Sequence, residues 1–271
     1  MELEVNNSEN KFSDVPLRVK TWCYIILVFA VSISSTITMK LFISWIAYQV
    51  FYEFLRIFQI KTNLFVTALI LGIVQFLLVY FFSFERYFLY AVAFLMMFFL
   101  YFLMLKVSGK QGIGIVLGLS LSLLVFPNLL YLRESAFGIK ALVYLVVVTE
   151  LNDVFQYFMG KLFGNHKVMP TISPNKTWEG FIGGVCLTIV LSIILGYFLL
   201  PSTILVQVIL GIVLGVAGFF GDVFMSLLKR KTNVKDTGEL LPGHGGLMDR
   251  MDSLIFNAPI FFWVLPLLLK S

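Results

Sequence analysis

Residues 222–253 read DVFMSLLKRKTNVKDTGELLPGHGGLMDRMDS, and they gather the side chains best suited to handling phosphate. Asp222, Asp249 and Asp252 can hold a divalent cation. Magnesium binds through one or two carboxylates plus substrate phosphates, so few protein ligands are needed. Lys229, Arg230 and Lys235 can neutralise phosphate charge, with Asp236 beside them. Gly243, Gly245 and Gly246 flank His244 and let backbone approach a ligand closely. A second segment, KLFGNHKVMPTISPNKTWEG (161–180), brings Ser173, Lys176 and Thr177 to the start of an apolar run. Free backbone N–H groups at a helix start with a lysine beside them form a ready anion site. Glu150, Asn152, Asp153 and Gln156 cluster in a third, apolar segment. Such a set suits phosphoryl-type transfer, which depends on positioning and electrostatic stabilisation rather than on a serine triad or a thiol nucleophile. No G-x-x-x-x-G-K-[ST] run occurs, so this is not a Walker A loop.

Plainer readings stand beside these. Ser173-Pro174 signals a turn. Thr177 can cap the following helix, and Glu179 in its first turn suits the helix dipole. A basic loop is attracted to anionic lipid without any chemistry. A lone histidine such as His244 is commonly just hydrogen-bonded. None of these explains Asp236, the Pro-Gly-His-Gly-Gly turn, or Asp249 and Asp252 spaced i, i+3.

The elements that must position these groups are membrane helices. The 271 residues are 59% hydrophobic and only 13% charged, with a mean hydropathy of +0.95. Stretches of about 20 apolar residues, each long enough to span a bilayer, recur along the chain. The expected class is all-α, a polytopic helical integral membrane protein. Nine candidate spans lie at about 22–39, 42–60, 63–82, 87–105, 111–132, 138–160, 178–200, 204–228 and 251–269. The second is the least clean, because Glu53 and Arg56 interrupt it. The expected organisation is a polar cytoplasmic N-terminus (1–21), N-terminal transmembrane helices (22–137) and a catalytic C-terminal region (138–271) with loops at 161–177 and 229–250. No secretory signal pattern is visible, and the first apolar run reads as a retained span. Cys23 and Cys186 lie far apart in apolar runs, which suggests neither a disulfide framework nor a zinc site.

With the N-terminus in the cytoplasm, fifteen lysines and arginines fall on inner segments and five on outer ones. This asymmetry favours that orientation and puts both polar loops on the cytoplasmic face, the side that holds nucleotides. It also accounts for the net charge of +5, and no nucleic-acid partner is expected. In the eighth span Gly211, Gly215, Gly218, Asp222, Ser226 and Lys229 are spaced 4, 3, 4, 4 and 3 apart, one face of a helix. Glycines on that stripe let another helix come close, so Asp222 is expected to face the bundle interior. Lys229 lies roughly 10 Å further along the axis, at headgroup depth. NDVFQYFMGK (152–161) faintly echoes GDVFMSLLKR (221–230), and because both close spans running towards the cytoplasm, Asp153 and Asp222 are expected at similar depth.

SLLKRKTNVKDTGELLPGHGGLMDRMDS (226–253) resembles the signature of the phosphatidate cytidylyltransferase (CDP-diacylglycerol synthase) family. The elements S-x-x-K-R, K-D, P-G-H-G-G and D-R-x-D are all present in order. SPNKTWEG (173–180) is similar to the family's S-P-K-K-T-W-E-G block, with Asn175 as the departure, and ND with GKLFG (152–164) resembles a third block. The resemblance implies that phosphatidate and CTP give CDP-diacylglycerol and pyrophosphate, with Mg2+ and possibly a second metal ion. It implies Asp222 and Asp249 as metal ligands. It places Ser226, Lys229, Arg230, Lys235, Asp236 and His244 at catalytic motif positions. Asp153, Ser173, Lys176 and Thr177 are the candidates for CTP and phosphate contacts. It further implies a homodimer, which the glycine stripes, read as exposed, permit, in a membrane that is expected to be a bacterial inner membrane.

Three rival readings stay open on sequence. A CTP-dependent polyprenol or phytol kinase shares an aspartate-bearing span and a K-T-x-E-G-like block, but is not expected to carry P-G-H-G-G-x-x-D-R-x-D. Cytidylyl transfer to another lipid phosphate would use the same groups. A lipid transporter would use intramembrane acids to couple ions, but would favour broken midplane helices.

Overall fold

The computed structural model describes residues 15–104, 108–240 and 245–269. His244 lies outside the described residues. The order is α1 (Val15–Ser34), α2 (Thr36–Ile57), α3 (Leu64–Phe81), α4 (Phe84–Met104), α5 (Gly109–Ser120), a π-helical turn (Leu121–Val125), α6 (Pro127–Glu134), α7 (Gly138–Phe163), β1 (Lys167–Met169), β2 (Ser173–Thr177), α8 (Trp178–Leu199), α9 (Ile204–Lys231), α10 (Met248–Met251) and α11 (Leu254–Leu269). Helix occupies every expected apolar segment. Four helical stretches are long and apolar enough by themselves to cross a bilayer: Leu64–Phe81, Gly109–Glu134, Trp178–Leu199 and Ile204–Lys231. Large apolar side chains such as Ile182, Ile194, Tyr197 and Phe198 of α8 are exposed, as they are on a helix that meets lipid. The chain is an integral membrane protein built of helices.

Several expected boundaries move, for local reasons. The break expected at 40–41 falls at Ser35, whose side chain accepts from Thr38 N while Thr38 returns a bond to the Ser35 backbone. This capping box lets a helix start inside an apolar run. Lys40, expected in a loop, is within α2 and pairs with Glu134 at 3.8 Å. Helix α9 runs to Lys231, so Lys229, Arg230 and Lys231 form its last turn rather than a loop. Positive charge there suits the helix dipole. The helix in the segment expected as a ninth span begins at Leu254, and Asp252 sits in the turn before it.

The expected loop 161–177 is partly a β-hairpin. β1 and β2 pair antiparallel, with Lys167 opposite Thr177 and Met169 opposite Ser173. The turn lies at Pro170–Ile172, so the turn expected at Ser173-Pro174 is instead strand. In a two-stranded ribbon both strands are edges, and the N–H that Pro174 lacks need have no partner.

Helix α7 packs along α8, and α8 along α9, while α11 closes against α9, α7 and α6. The core lies where α2, α6, α7 and α11 meet, and includes Met39, Ile43, Val50, Phe54, Leu130, Tyr144 and Phe261. The glycine stripe of α9 faces inward. A Cβ at Gly211 would come within 2.8 Å of Ile189 Cα, and one at Gly218 within 3.1 Å of Asn257 Nδ2. This bears out the expectation that the stripe packs against another helix, and corrects the expectation that it is exposed to a second copy. These glycines admit α8, α7 and α11 of the same chain and are not free to pack a second copy.

Candidate active site

The site forms where the end of α9, the β-hairpin, α7 and the segments 237–240 and 245–253 converge. Asp222 and Lys176 meet first: Lys176 Nζ lies 2.6 Å from Asp222 Oδ2. The Lys176 ammonium also sits 4.6 Å from the centroid of the Phe219 ring, one helical turn before Asp222. Ser226, one turn after it, donates to Asp222 Oδ1 at 3.3 Å. The stripe expected from sequence therefore carries the acid to an interior face, with its side chain 29% exposed.

A second pair lies deeper. Lys229 Nζ donates to Asp249 Oδ1 at 2.8 Å, with the side chains 14% and 7% exposed. The other oxygen, Asp249 Oδ2, accepts from Thr237 N at 2.8 Å and Gly246 N at 2.9 Å, with Thr237 Oγ1 3.0 Å away. Gly245 has φ +82°, and a Cβ on it would stand 2.7 Å from Asp249 Oδ2. Only glycine takes that backbone without strain, so the loop can wrap this close to the carboxylate.

Asp153 of α7 completes the acidic group. Its Oδ2 accepts from Ser253 Oγ at 2.7 Å, while its Oδ1 is buried with no hydrogen-bond partner. Asp153 and Asp222 interact electrostatically with each other and with Asp252, in keeping with the similar depth expected from sequence. Desolvation, then the Asp222 and Asp153 carboxylates, push Asp252 well above the usual carboxylate range. Like charges held together this way favour a proton or a cation between them.

The neighbours of Asp153 are structural. Asn152 Oδ1 accepts from Thr188 Oγ1 and Gln156 Nε2, and both amides reach towards Gly215 O. They bond α7 to α8 and α9 across the glycines.

The remaining expected residues divide. Thr177 is buried, and its hydroxyl accepts from Gly180 N as the N-cap of α8, the plainer of its two readings. Glu179 accepts from Asn165 N and His166 N, closing the loop onto that helix start. Arg230 Nε donates to Ile172 O at 3.4 Å, joining α9 to the hairpin turn. Ser173 opens β2, three residues before Lys176. Lys235 and Asp236 immediately precede Thr237, whose N–H binds Asp249. They line a cavity of about 350 Å3 with Arg56, Gln59 and Glu239, beside the end of α2.

Sequence reasoning noticed Glu53 only as a blemish in an apolar span. It is buried (1% exposed) in α2 and accepts four hydrogen bonds. Oε1 takes Leu247 N at 2.7 Å and Gln49 Nε2 at 2.8 Å. Oε2 takes Thr237 Oγ1 at 2.6 Å and Met248 N at 3.0 Å. Placing a carboxylate inside a span costs about 3 kcal/mol on insertion scales. Hydrogen bonds to a charged group return about 1.5–3 kcal/mol each, so four donors more than offset that cost.

The donor set fits a divalent cation. Asp153 Oδ1 is an unpartnered buried oxygen beside two further carboxylates. Among the described residues no three acidic, histidine or cysteine side chains already converge as a metal cage. Magnesium does not require one where substrate phosphates supply the other ligands.

Comparison with known proteins gives a consistent result. The family model described as "Cytidylyltransferase family" matches residues 17–268. The chain is 36% identical over 273 residues to a protein of Escherichia coli strain K12 named "Uncharacterized protein YnbB", covering 94% of this chain and 88% of that one. It is 42% identical over 132 residues to a phosphatidate cytidylyltransferase of Bacillus subtilis, covering 48% of this chain and 49% of the relative. A phosphatidate cytidylyltransferase of Chlamydia trachomatis is 37% identical over 170 residues, covering 58% and 55%. The matches to these two named enzymes thus span about half of each.

Proposed function

The chain belongs to the cytidylyltransferase family, a family of nucleotidyltransferases, and from that premise we propose that it transfers the cytidylyl group of CTP to phosphatidate, giving CDP-diacylglycerol and pyrophosphate. The observation that carries this reading is the facing of two lysines and several carboxylates at one end of the bundle, as Lys176–Asp222 and Lys229–Asp249. A phosphate oxygen of phosphatidate attacks the α-phosphorus of CTP in line. A new P–O bond forms, and the bond from the α-phosphorus to the bridging oxygen breaks. Pyrophosphate leaves with the electron pair. A phosphomonoester is already ionised at neutral pH, so the attack needs no general base.

The chain's own groups supply positioning and charge. Arriving phosphates would draw Lys176 and Lys229 away from their carboxylates, freeing Asp222 and Asp249 to ligate Mg2+, with Asp153 and Asp252 adjacent. The bound ion would neutralise charge on the nucleotide phosphates and the leaving pyrophosphate. Ser226 steadies Asp222, and Arg230 fixes the hairpin that presents Lys176. Ser173 is proposed to contact CTP, and Lys235, Asp236 and His244 to act at their catalytic motif positions. Thr177 caps α8 and takes no part in the transfer. The excess of basic residues on one set of loops supports a cytoplasmic site, and the proposed setting is nine spans in a bacterial inner membrane. A homodimer would have to pack through faces other than the α9 glycines.

Pyrophosphate release tests the reading. Purified protein in detergent with CTP and Mg2+ should release pyrophosphate only when phosphatidate is present. Release of CDP with a polyprenol acceptor would assign a lipid kinase instead.

A further inference from the structure

We infer that Glu53 is a positioning residue for the transfer site: from α2, in the N-terminal half of the chain, it clamps the glycine-rich loop and through Thr237 sets the Asp249–Lys229 pair. The inference rests on the proposed transfer site for its consequence, but the clamp itself is a matter of hydrogen bonds. Glu53 is separated from its loop partners by 184–195 residues in sequence. Leu247 N and Met248 N, which it binds at 2.7 and 3.0 Å, immediately precede Asp249. On the other side of the loop Thr237 stands between two carboxylates. Its hydroxyl is 2.6 Å from Glu53 Oε2 and 3.0 Å from Asp249 Oδ2. It has one proton to give, and the shorter distance favours Glu53. The Thr237 N–H is thereby aimed at Asp249 Oδ2, 2.8 Å away.

The glycines of the loop make room for the clamp. A Cβ at Gly246 would lie 2.6 Å from Glu53 Oε2, and one at Gly238 would lie 3.3 Å from Oε1. The loop thus approaches Glu53 as closely as backbone allows, from both of its strands of chain. Both carboxylate oxygens are needed, because each accepts two donors. Glutamine in the same place would turn an NH2 group towards two of them, whichever way it lay. The first half of the chain therefore does more than anchor the protein: one of its helices holds the catalytic loop in register with α9.

The test is amide hydrogen exchange and turnover of the full chain in detergent, for Glu53→Gln, Thr237→Val and Thr237→Ser. Glu53→Gln should speed exchange at residues 245–249 about tenfold or more, as expected for losing hydrogen bonds to a charged group. Exchange in α7–α9 should stay unchanged, and kcat should fall by a similar factor. Thr237→Val, which keeps the backbone bond but removes the hydroxyl link, should lower kcat in the same way, and Thr237→Ser should restore it. That pair also reads the link if Glu53→Gln fails to accumulate in the membrane. Unchanged loop exchange in Glu53→Gln, acceleration spread equally over α7–α9, or Thr237→Val matching Thr237→Ser would each overturn the inference. If the wild type transfers nothing from CTP, the proposed function fails, and loop exchange still decides the clamp.

Discussion

Replacing Asp249 with asparagine separates the two things this residue does. The side chain is 7% exposed and its partner Lys229 14%, so solvent screens the pair little. Asparagine keeps the shape but offers one acceptor oxygen. Lying one way, its NH2 group faces Lys229 Nζ. Lying the other, it faces the Thr237 and Gly246 donors at Oδ2. Removing one partner of a buried ion pair costs about 3–5 kcal/mol. The lower end applies here, because the asparagine oxygen can still accept from Lys229 Nζ in one of its two orientations. A loss of about 3 kcal/mol in the ordered loop is a factor of about 100 in its population, at 1.36 kcal/mol per tenfold. The expected result is a fall in kcat/KM of at least that size together with a lower melting temperature in detergent. Asp222→Asn is the control. Its side chain is 29% exposed and holds one ion pair and one long hydrogen bond. It should melt within about 1 kcal/mol of wild type yet lose turnover. The reasoning is refuted if Asp249→Asn melts like wild type and keeps its turnover, or if Asp222→Asn is fully active.

Lys176→Met should lower kcat/KM for CTP by about 10- to 100-fold, the worth of one hydrogen bond to a charged phosphate, measured by titrating CTP at saturating phosphatidate. Gly245→Ala places a Cβ 2.7 Å from Asp249 Oδ2 at φ +82°; it should cost about 1–3 kcal/mol of local order and depress turnover while leaving helix content by circular dichroism unchanged. Thr177→Val should lose about 1 kcal/mol of stability from the missing cap with kcat/KM unchanged, whereas Thr177→Ser should behave as wild type in both assays. Chelation of divalent cations should abolish turnover, and added Mg2+ should restore it.

Much of the candidate site is legible in the chain because its groups lie on regular elements. The i, i+4 spacing from Gly218 through Asp222 to Ser226 fixes one helix face without any knowledge of tertiary structure, and the glycines on it say which way that face points. What could not be read depends on contacts remote in sequence or on very short elements. Nothing local to Glu53 reveals that residues 237–248 supply three of its four donors. The only signal was an acid in an apolar run, and that signal was real. The hairpin strands are three and five residues long, too short for an alternating pattern to emerge from a polar segment. The α1–α2 break rests on the single capping box at Ser35, hidden by apolar sequence on both sides. Asp249 reads from the motif as a metal ligand. The structure adds that three donors already converge on it, from Lys229 Nζ, Gly246 N and Thr237 N, so its carboxylate also organises the loop.

The measurement that bears most directly on the account follows label rather than rate. Wild-type protein in micelles would be given phosphatidate, Mg2+ and CTP labelled at either the α- or the γ-phosphate. The account requires α-label in the lipid phase, γ-label in released pyrophosphate, and neither transfer when EDTA replaces Mg2+. γ-Label in the lipid, or no label in the lipid from either position, would contradict it.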